Sequence, residues 1–241
     1  MSDSLVIIPT YNEKENIEKM IRTVHKLPKA FHVLIVDDGS PDGTAEIVKN
    51  LQEEYPDSLH IQERTGKLGL GTAYILGFKW ALGKGYDYIF EMDADFSHPV
   101  DKLPTLYHAC ASEGYDFSIG SRYVKGGGVS NWDKFRLFLS YFASIYVRMI
   151  LWVKIKDTTA GFMCYSRKVL ESIDLDSVKF IGYAFQIEMK YTASRLGFKG
   201  KEVPIIFKDR ELGNSKMDSS IFKEAVFGVF KLRFKNISHK K

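Results

Sequence analysis

Short apolar runs without alternation, each halted by a proline, a glycine or a carboxylate, constrain this chain more than any other feature. Leu5-Val-Ile-Ile8 stops at Pro9, and Val33-Leu-Ile-Val36 stops at Asp37-Asp38-Gly39. A strand with one wet face alternates apolar and polar residues, whereas a strand covered on both faces does not. Further strands are read at Leu59–Glu63, Tyr86–Met92 and Phe117–Ser121. Between them lie helical spacings: Ile17, Met20, Ile21, Val24 and Leu27 within Asn12–Leu27, then Thr44–Glu54, a helix through Tyr74, Phe78 and Ala81, and Leu103–Ser112. This βα alternation predicts an α/β fold, a mostly parallel sheet with helices on both faces. With 241 residues, 45% of them hydrophobic, the chain can bury the core of one full domain.

Ligands of such sheets bind beyond the carboxyl ends of the strands. There the run Tyr88-Ile-Phe-Glu-Met92 opens into Asp93-Ala94-Asp95-Phe-Ser97-His98-Pro99. Two close carboxylates, without thiolates or a histidine pair, suit Mg²⁺ or Mn²⁺ shared with substrate phosphates. An acidic turn with no ligand fits the same residues, and His98 reads as a loop histidine. Gly66-Lys67 is followed by Leu68, so no P-loop is present, and Gly69-Leu-Gly71 lacks the third glycine of a dinucleotide fingerprint. The serine-nucleophile elbow and the zincin motif are also missing. Pro9-Thr-Tyr11-Asn-Glu13 stands where a sugar-nucleotide pyrophosphorylase carries a glycine-rich loop. The net charge of +4, without an aromatic-basic platform, gives no case for nucleic acid. Cys110 and Cys164, far apart in apolar surroundings, read as reduced core thiols.

After Ser121 the alternation weakens. Arg122–Asn131 contains three consecutive glycines and suits either a gate or an ordinary loop. Phe135–Val153 is apolar enough to resemble a membrane span, but Arg136 and Arg148 make a buried or membrane-grazing helix the better reading. Gly161–Ser166 reads as a strand, Tyr183–Leu196 as a helix and Val203–Phe207 as a last strand. From Ser219, Phe222, Val226, Phe230 and Phe234 recur every fourth residue before a basic end. Such a helix either lies in an anionic membrane surface or packs on the domain. The expected division is a catalytic domain over 1–216 and a basic amphipathic segment over 217–241. The first strand begins so close to Met1 that no signal peptide is expected.

The series Val6-Ile-Ile-Pro9-Thr-Tyr11-Asn-Glu13, Val36-Asp37-Asp38-Gly-Ser-Pro-Asp-Gly43 and Asp93-Ala94-Asp95 resembles family 2 glycosyltransferases of the GT-A fold. Within that family, Lys67-Leu-Gly-Leu-Gly71, Met92-Asp-Ala-Asp-Phe-Ser-His-Pro99, Gly120-Ser-Arg122-Tyr and Gly182-Tyr-Ala-Phe-Gln-Ile-Glu188 are similar to the polyprenyl (dolichol) phosphate mannosyltransferases. The resemblance runs from Leu5 to Lys216. It implies inverting transfer of mannose from GDP-mannose to a polyprenyl monophosphate, with Mg²⁺ or Mn²⁺. It also implies residue roles. Pro9, Tyr11, Glu13, Val36, Asp38, Lys67, Asp93, Ala94 and Asp95 would form the nucleotide-sugar site, joined by Arg210 and Lys216. Asp93, Asp95 and Ser97 would hold the metal, and Asp37 the turn. Arg122 and Arg136 would hold the acceptor phosphate and, with Asp95, carry catalysis. Many members of the family carry C-terminal spans, so here the amphipathic tail or a small membrane-anchoring partner would bring a peripheral enzyme to the cytoplasmic face of the membrane. Glucose or another hexose as the transferred sugar, and a silent nucleotide- or partner-binding module, are the rival readings.

Overall fold

The structure, a computed structural model, describes residues 2–182, 184–209, 228–235, 237 and 239–240. In chain order the elements are β1 (Ser4–Thr10), α1 (Ile17–His25), β2 (His32–Asp37), α2 (Thr44–Glu54), β3 (Leu59–Glu63), α3 (Leu70–Lys84), β4 (Tyr88–Glu91) and α4 (Leu103–Ala111). They continue with β5 (Phe117–Ser121), β6 (Gly128–Ser130), α5 (Lys134–Leu151), β7 (Met163–Ser166), α6 (Arg167–Ser172), α7 (Ala184–Arg195), β8 (Gly200–Pro204) and β9 (Ile206–Lys208). Seven strands form one sheet in the order β3-β2-β1-β4-β7-β5-β8, and β6 pairs with β9 in a separate two-stranded ribbon.

The unbroken apolar runs have the two-sided burial expected of them. Val6 and Ile8 pack with α1, α2 and α4 on one face. Leu5 and Ile7, the alternate residues, pack with α3, Phe185 and Met189 on the other. Pro9 lies inside β1 rather than closing it, opposite Val36. Its missing N–H costs nothing there. The Ile7 carbonyl accepts from the Met92 N–H on the β4 side, so Pro9, two residues on, turns to that same side, where β4 has already ended.

Three sequence readings need revision. Val203–Phe207 is not one strand: β8 and β9 belong to different sheets and are separated at Ile205. The glycine-rich stretch after Arg122 is neither a free gate nor a plain loop, because Gly128–Ser130 pairs with Ile206–Lys208. The Gly161–Ser166 run, shortened to β7, runs antiparallel to both β4 and β5. Its direction follows from a short return connection out of α5, not from any βαβ crossover. The α6 turn of helix was not foreseen. Cys110 and Cys164 are buried and free.

α7 is covered all round, with every residue from Ala184 to Ala193 buried. Phe185 and Met189 face the sheet, while Ile187 and Tyr191 meet Val147 and Leu151 of α5. Val229 and Leu232 of the helical stretch 228–233 join that second cluster, whereas Phe234 is exposed. Lys235 Nζ donates to Glu188 Oε1 at 2.8 Å and to the Ser177 carbonyl at 2.9 Å. Phe222, Val226 and the boundary proposed near residue 216 lie outside the described residues.

The start of α3 has no room for a side chain. The Gly71 N–H donates to the Ile181 carbonyl at 2.9 Å, and an added Cβ would stand 2.7 Å from the Phe180 carbonyl oxygen and 2.9 Å from the Phe185 ring. Gly83, in the same helix, has nothing within 4 Å of that position. Gly71→Ala should therefore destabilise by about 1–3 kcal/mol, and Gly83→Ala should stabilise by about 0.4–1 kcal/mol. Urea unfolding of the two variants checks the contrast, which fails if both shift the midpoint in the same direction.

Candidate active site

Five strands deliver polar loops to one edge of the sheet, and the first three of these loops are bonded to one another. After β1, Thr10 Oγ1 donates to Asp37 Oδ2 at 2.8 Å, and the backbone N–H groups of Asn12, Glu13 and Lys14 donate to Ser40 Oγ, Thr44 Oγ1 and Asp42 Oδ2. Asp37 also accepts from the Ser40 N–H at 2.8 Å and the Ser40 hydroxyl at 2.6 Å. It holds the turn, the part expected of it. After β3, Arg64 Nε donates to Asp38 Oδ1 at 2.6 Å and Arg64 Nη1 to Thr72 Oγ1 at 2.7 Å. Burial pushes the Asp38 carboxyl above its usual value, against the pull of Arg64. Lys67 lies with its ammonium 5.6 Å from the centre of the half-buried Tyr11 ring. The side chains of Val36 and Ala94 are buried in the cores, so any part they take in a ligand site falls to their backbones.

The loop after β4 folds back over a buried imidazole. The Ser97 N–H donates to Asp95 Oδ1 at 3.1 Å, and the Asp93 N–H donates to His98 Nδ1 at 3.1 Å. His98 is a loop histidine, as expected, but a buried one: it is 3% exposed and stacks on Phe162 with ring centres 5.0 Å apart. Accepting at Nδ1 leaves the neutral ring its proton on Nε2, 3.9 Å from Asp93 Oδ2. Burial holds the imidazole neutral, its pKa lowered to about 4. Among the described residues the Ser97 hydroxyl is buried without a hydrogen-bond partner, and the Ser97 carbonyl accepts from the Lys208 N–H of β9 at 3.2 Å. Two half-buried carboxylates beside an orphaned hydroxyl fit a hard divalent cation. Among the described residues no group of three His, Cys, Asp or Glu could hold one alone, so the remaining ligands would be substrate oxygens.

The loop after β5 carries Arg122, whose guanidinium grips Asp157 through Nε at 2.8 Å and Nη2 at 2.7 Å, while its backbone N–H donates to the same carboxylate at 2.9 Å. Thr159 Oγ1 accepts a further bond at 2.8 Å. The two side chains are 8% and 0% exposed. Glu202 of β8 fixes the Asp157 segment by accepting from the N–H groups of Lys156 and Asp157 at 2.8 and 2.9 Å. Arg136, in the first turn of α5, reaches Asp209 at 3.0 Å. Beneath this edge, the buried Lys190 ammonium donates to the Ala160 carbonyl at 2.5 Å. Burial lowers its pKa and raises that of Glu91, the nearby buried carboxyl.

Most of the residues singled out from the sequence thus line one edge, and Arg210 and Lys216 lie outside the described residues. Sequence reasoning missed Arg64 and Asp157. Arg64 carried a signal, being the charge that ends β3 at the ligand edge. Asp157 carried none, because it comes from an irregular segment far along the chain. Glu188, part of a quoted motif, is structural: its carboxylate accepts from the N–H groups of Lys179 and Phe180 at 3.0 and 3.1 Å.

Residues 5–174 match the family described as Glycosyl transferase family 2. A polyprenol monophosphomannose synthase of Mycolicibacterium smegmatis is 50% identical over 94% of this chain and 85% of its own length. An undecaprenyl-phosphate mannosyltransferase of Micrococcus luteus is 45% identical over 93% of this chain and 91% of its own. Among solved structures, glucosyl-3-phosphoglycerate synthase of Mycobacterium tuberculosis, in complex with Mn²⁺, UDP and glucosyl-3-phosphoglycerate, superposes with a TM-score of 0.68 at 18% identity, covering 95% of this chain and 78% of that one. A mannosyltransferase of Pyrobaculum calidifontis, in complex with GDP-Man and Mn²⁺, gives 0.57 at 17% identity, covering 96% and 70%. The two structures share the fold with this chain.

Removing one member of a buried ion pair costs about 3–5 kcal/mol, whereas replacing both with apolar residues is often neutral. Arg122→Ala and Asp157→Ala should each lower stability by that amount, and Arg122→Met with Asp157→Leu should recover most of it. Denaturant unfolding gives the answer. Additive losses in the double variant would show that the pair is not one unit.

Proposed function

The chain belongs to glycosyl transferase family 2, and from that premise we propose that it transfers mannose from GDP-mannose to a polyprenyl monophosphate at a membrane surface. The geometry that carries this reading is the setting of Arg136 on α5. Its guanidinium stands beside the acceptor-side cluster, while the same helix exposes Phe135, Phe138, Phe142 and Met149. These positions recur at three, four and seven residues, and so lie on one helical face, opposite the buried Ser144, Val147 and Leu151. Cations at one end of an exposed apolar stripe suit an amphiphile with an anionic head. No described helix is long and apolar enough to cross a membrane, so the reading is of a protein that lies on one. The names of the 45% and 50% identical relatives support the same acceptor and sugar.

In this reading the loops after β1, β2 and β3 hold the nucleotide, with Asp38 kept in place by Arg64. Asp93, Asp95 and Ser97 hold the cation, Mg²⁺ or Mn²⁺, which when bound stabilises the negative charge left on the diphosphate. Arg122 and Arg136 align the acceptor phosphate. A phosphate monoester is already ionised, so its oxygen attacks the anomeric carbon without a carboxylate base. The bond from that carbon to the diphosphate breaks on the opposite face, GDP leaves, and the configuration inverts.

Purified protein given GDP-mannose and UDP-glucose together, with a polyprenyl phosphate in liposomes, should form the mannosyl lipid and GDP. Exclusive glucosyl product would overturn the sugar. Asp95→Asn should lose all but ~1% of turnover, as expected when a preorganised charge contact is removed, with an unchanged melting temperature. Replacing Phe135, Phe138 and Phe142 together with serine should cut liposome co-sedimentation and turnover of long-chain acceptor, and spare a short soluble one. Equal loss on both acceptors would remove the membrane role of α5.

A further inference from the structure

Trp132 stands at the centre of the acceptor-side residues, and no role has been assigned to it so far. Asn131 before it adopts φ of 65°, a left-handed turn unusual for a residue with a side chain, and Asp133 after it caps α5 by accepting from the Arg136 N–H at 2.9 Å. The backbone on either side of the indole is therefore held in place. The Arg136 guanidinium carbon lies 4.2 Å from the ring centre and that of Arg122 5.5 Å. Phe207 of β9 meets the indole edge-on, with centres 5.5 Å apart, and packs at the same distance against His98 under the Asp93–Asp95 loop. One ring thus touches both arginines and, through Phe207, the loop of the two carboxylates. Its Nε1 is buried and has no hydrogen-bond partner among the described residues, although indole N–H groups in such places usually find one.

We propose that Trp132 is the third member of the acceptor-phosphate site: its ring spaces the two guanidiniums, and its N–H donates to the same phosphate. The inference rests on the polyprenyl-phosphate reading above and adds a residue to it. Cation–π attraction holds each arginine against the ring without consuming its in-plane N–H donors, of which Arg122 gives Nε and Nη2 to Asp157 and Thr159 and Arg136 gives Nη1 to Asp209. With both guanidiniums already paired to carboxylates, what the ring itself offers an anionic oxygen is its unbonded N–H. A purely packing tryptophan would have no need of two guanidiniums on its ring or of an unbonded nitrogen.

Two substitutions separate ring from N–H. Trp132→Phe keeps an aromatic plate and deletes the donor, and Trp132→Leu deletes both. With farnesyl phosphate as a soluble acceptor, Trp132→Phe should raise the acceptor KM about 10-fold, the scale of one hydrogen bond to a charged group. Trp132→Leu should raise it further. The KM for GDP-mannose and the melting temperature of Trp132→Phe should stay as in the parent protein. A wild-type acceptor KM in Trp132→Phe, or equal rises for donor and acceptor, would overturn the proposal even if Trp132→Leu fails to fold. A second measurement needs no turnover. The chain has three tryptophans, so Trp80→Phe with Trp152→Phe leaves Trp132 as the reporter. Its emission should change saturably with farnesyl phosphate and not with farnesol. If no sugar reaches any prenyl phosphate, the proposed function falls, yet this titration still decides the site: unchanged emission overturns it and a saturable change supports it.

Discussion

The Arg122–Asp157 pair is the interaction on which the ligand edge depends. A guanidinium and a carboxylate that are almost fully buried carry a desolvation cost of several kcal/mol each, offset only when the remaining donors and acceptors are bonded. Here they are. The Arg122 backbone N–H and Thr159 complete the contacts of the pair, and Glu202 bonds the segment that presents Asp157. The arrangement joins β5, β8 and the irregular run 154–160 into one unit. Lys190 supports that unit from below through the Ala160 carbonyl. The rings of Tyr123, Trp132 and Phe207 then close around the guanidinium, between 5.1 and 5.6 Å from its carbon.

The two sides of the edge are built differently. On the β1–β2–β3 side, rigidity comes from short side chains bonding the backbone of a neighbouring loop, as Ser40, Asp42 and Thr44 do to residues 12–14. On the β5 side, rigidity comes from ion pairs and stacked rings. In the proposed reaction the first side would take the nucleotide and the second the lipid head.

Much of the fold was readable because local and global signals agree. Leu59–Glu63, Thr44–Glu54 and Phe117–Ser121 have the bounds seen in the structure, since each is a run of one period ended by a turn residue. The Asp37 turn and the Asp93–Asp95 loop were readable for the same reason, as polar groups placed where buried strands stop. What escaped depends on contacts distant in sequence. The burial of His98 is decided by Phe162 and Phe207, and nothing adjacent to it announces them. The division of Val203–Phe207 between two sheets is decided by partners at Gly128–Ser130. The burial of Arg122 in an ion pair escaped because Asp157, its counter-charge, lies 35 residues away.

β7 occupies the middle of the sheet although it comes late in the chain, running between β4 and β5 in the opposite direction. During synthesis, the first 121 residues can assemble β3-β2-β1-β4, but β5 has no neighbour to join until Met163–Ser166 emerges. The half of the edge that holds the two carboxylates and the half that holds Arg122 are therefore assembled by a strand belonging to neither. A ribosome-bound chain shorter than this carries β5 as an unpaired edge, exposed to chaperones and to misassociation.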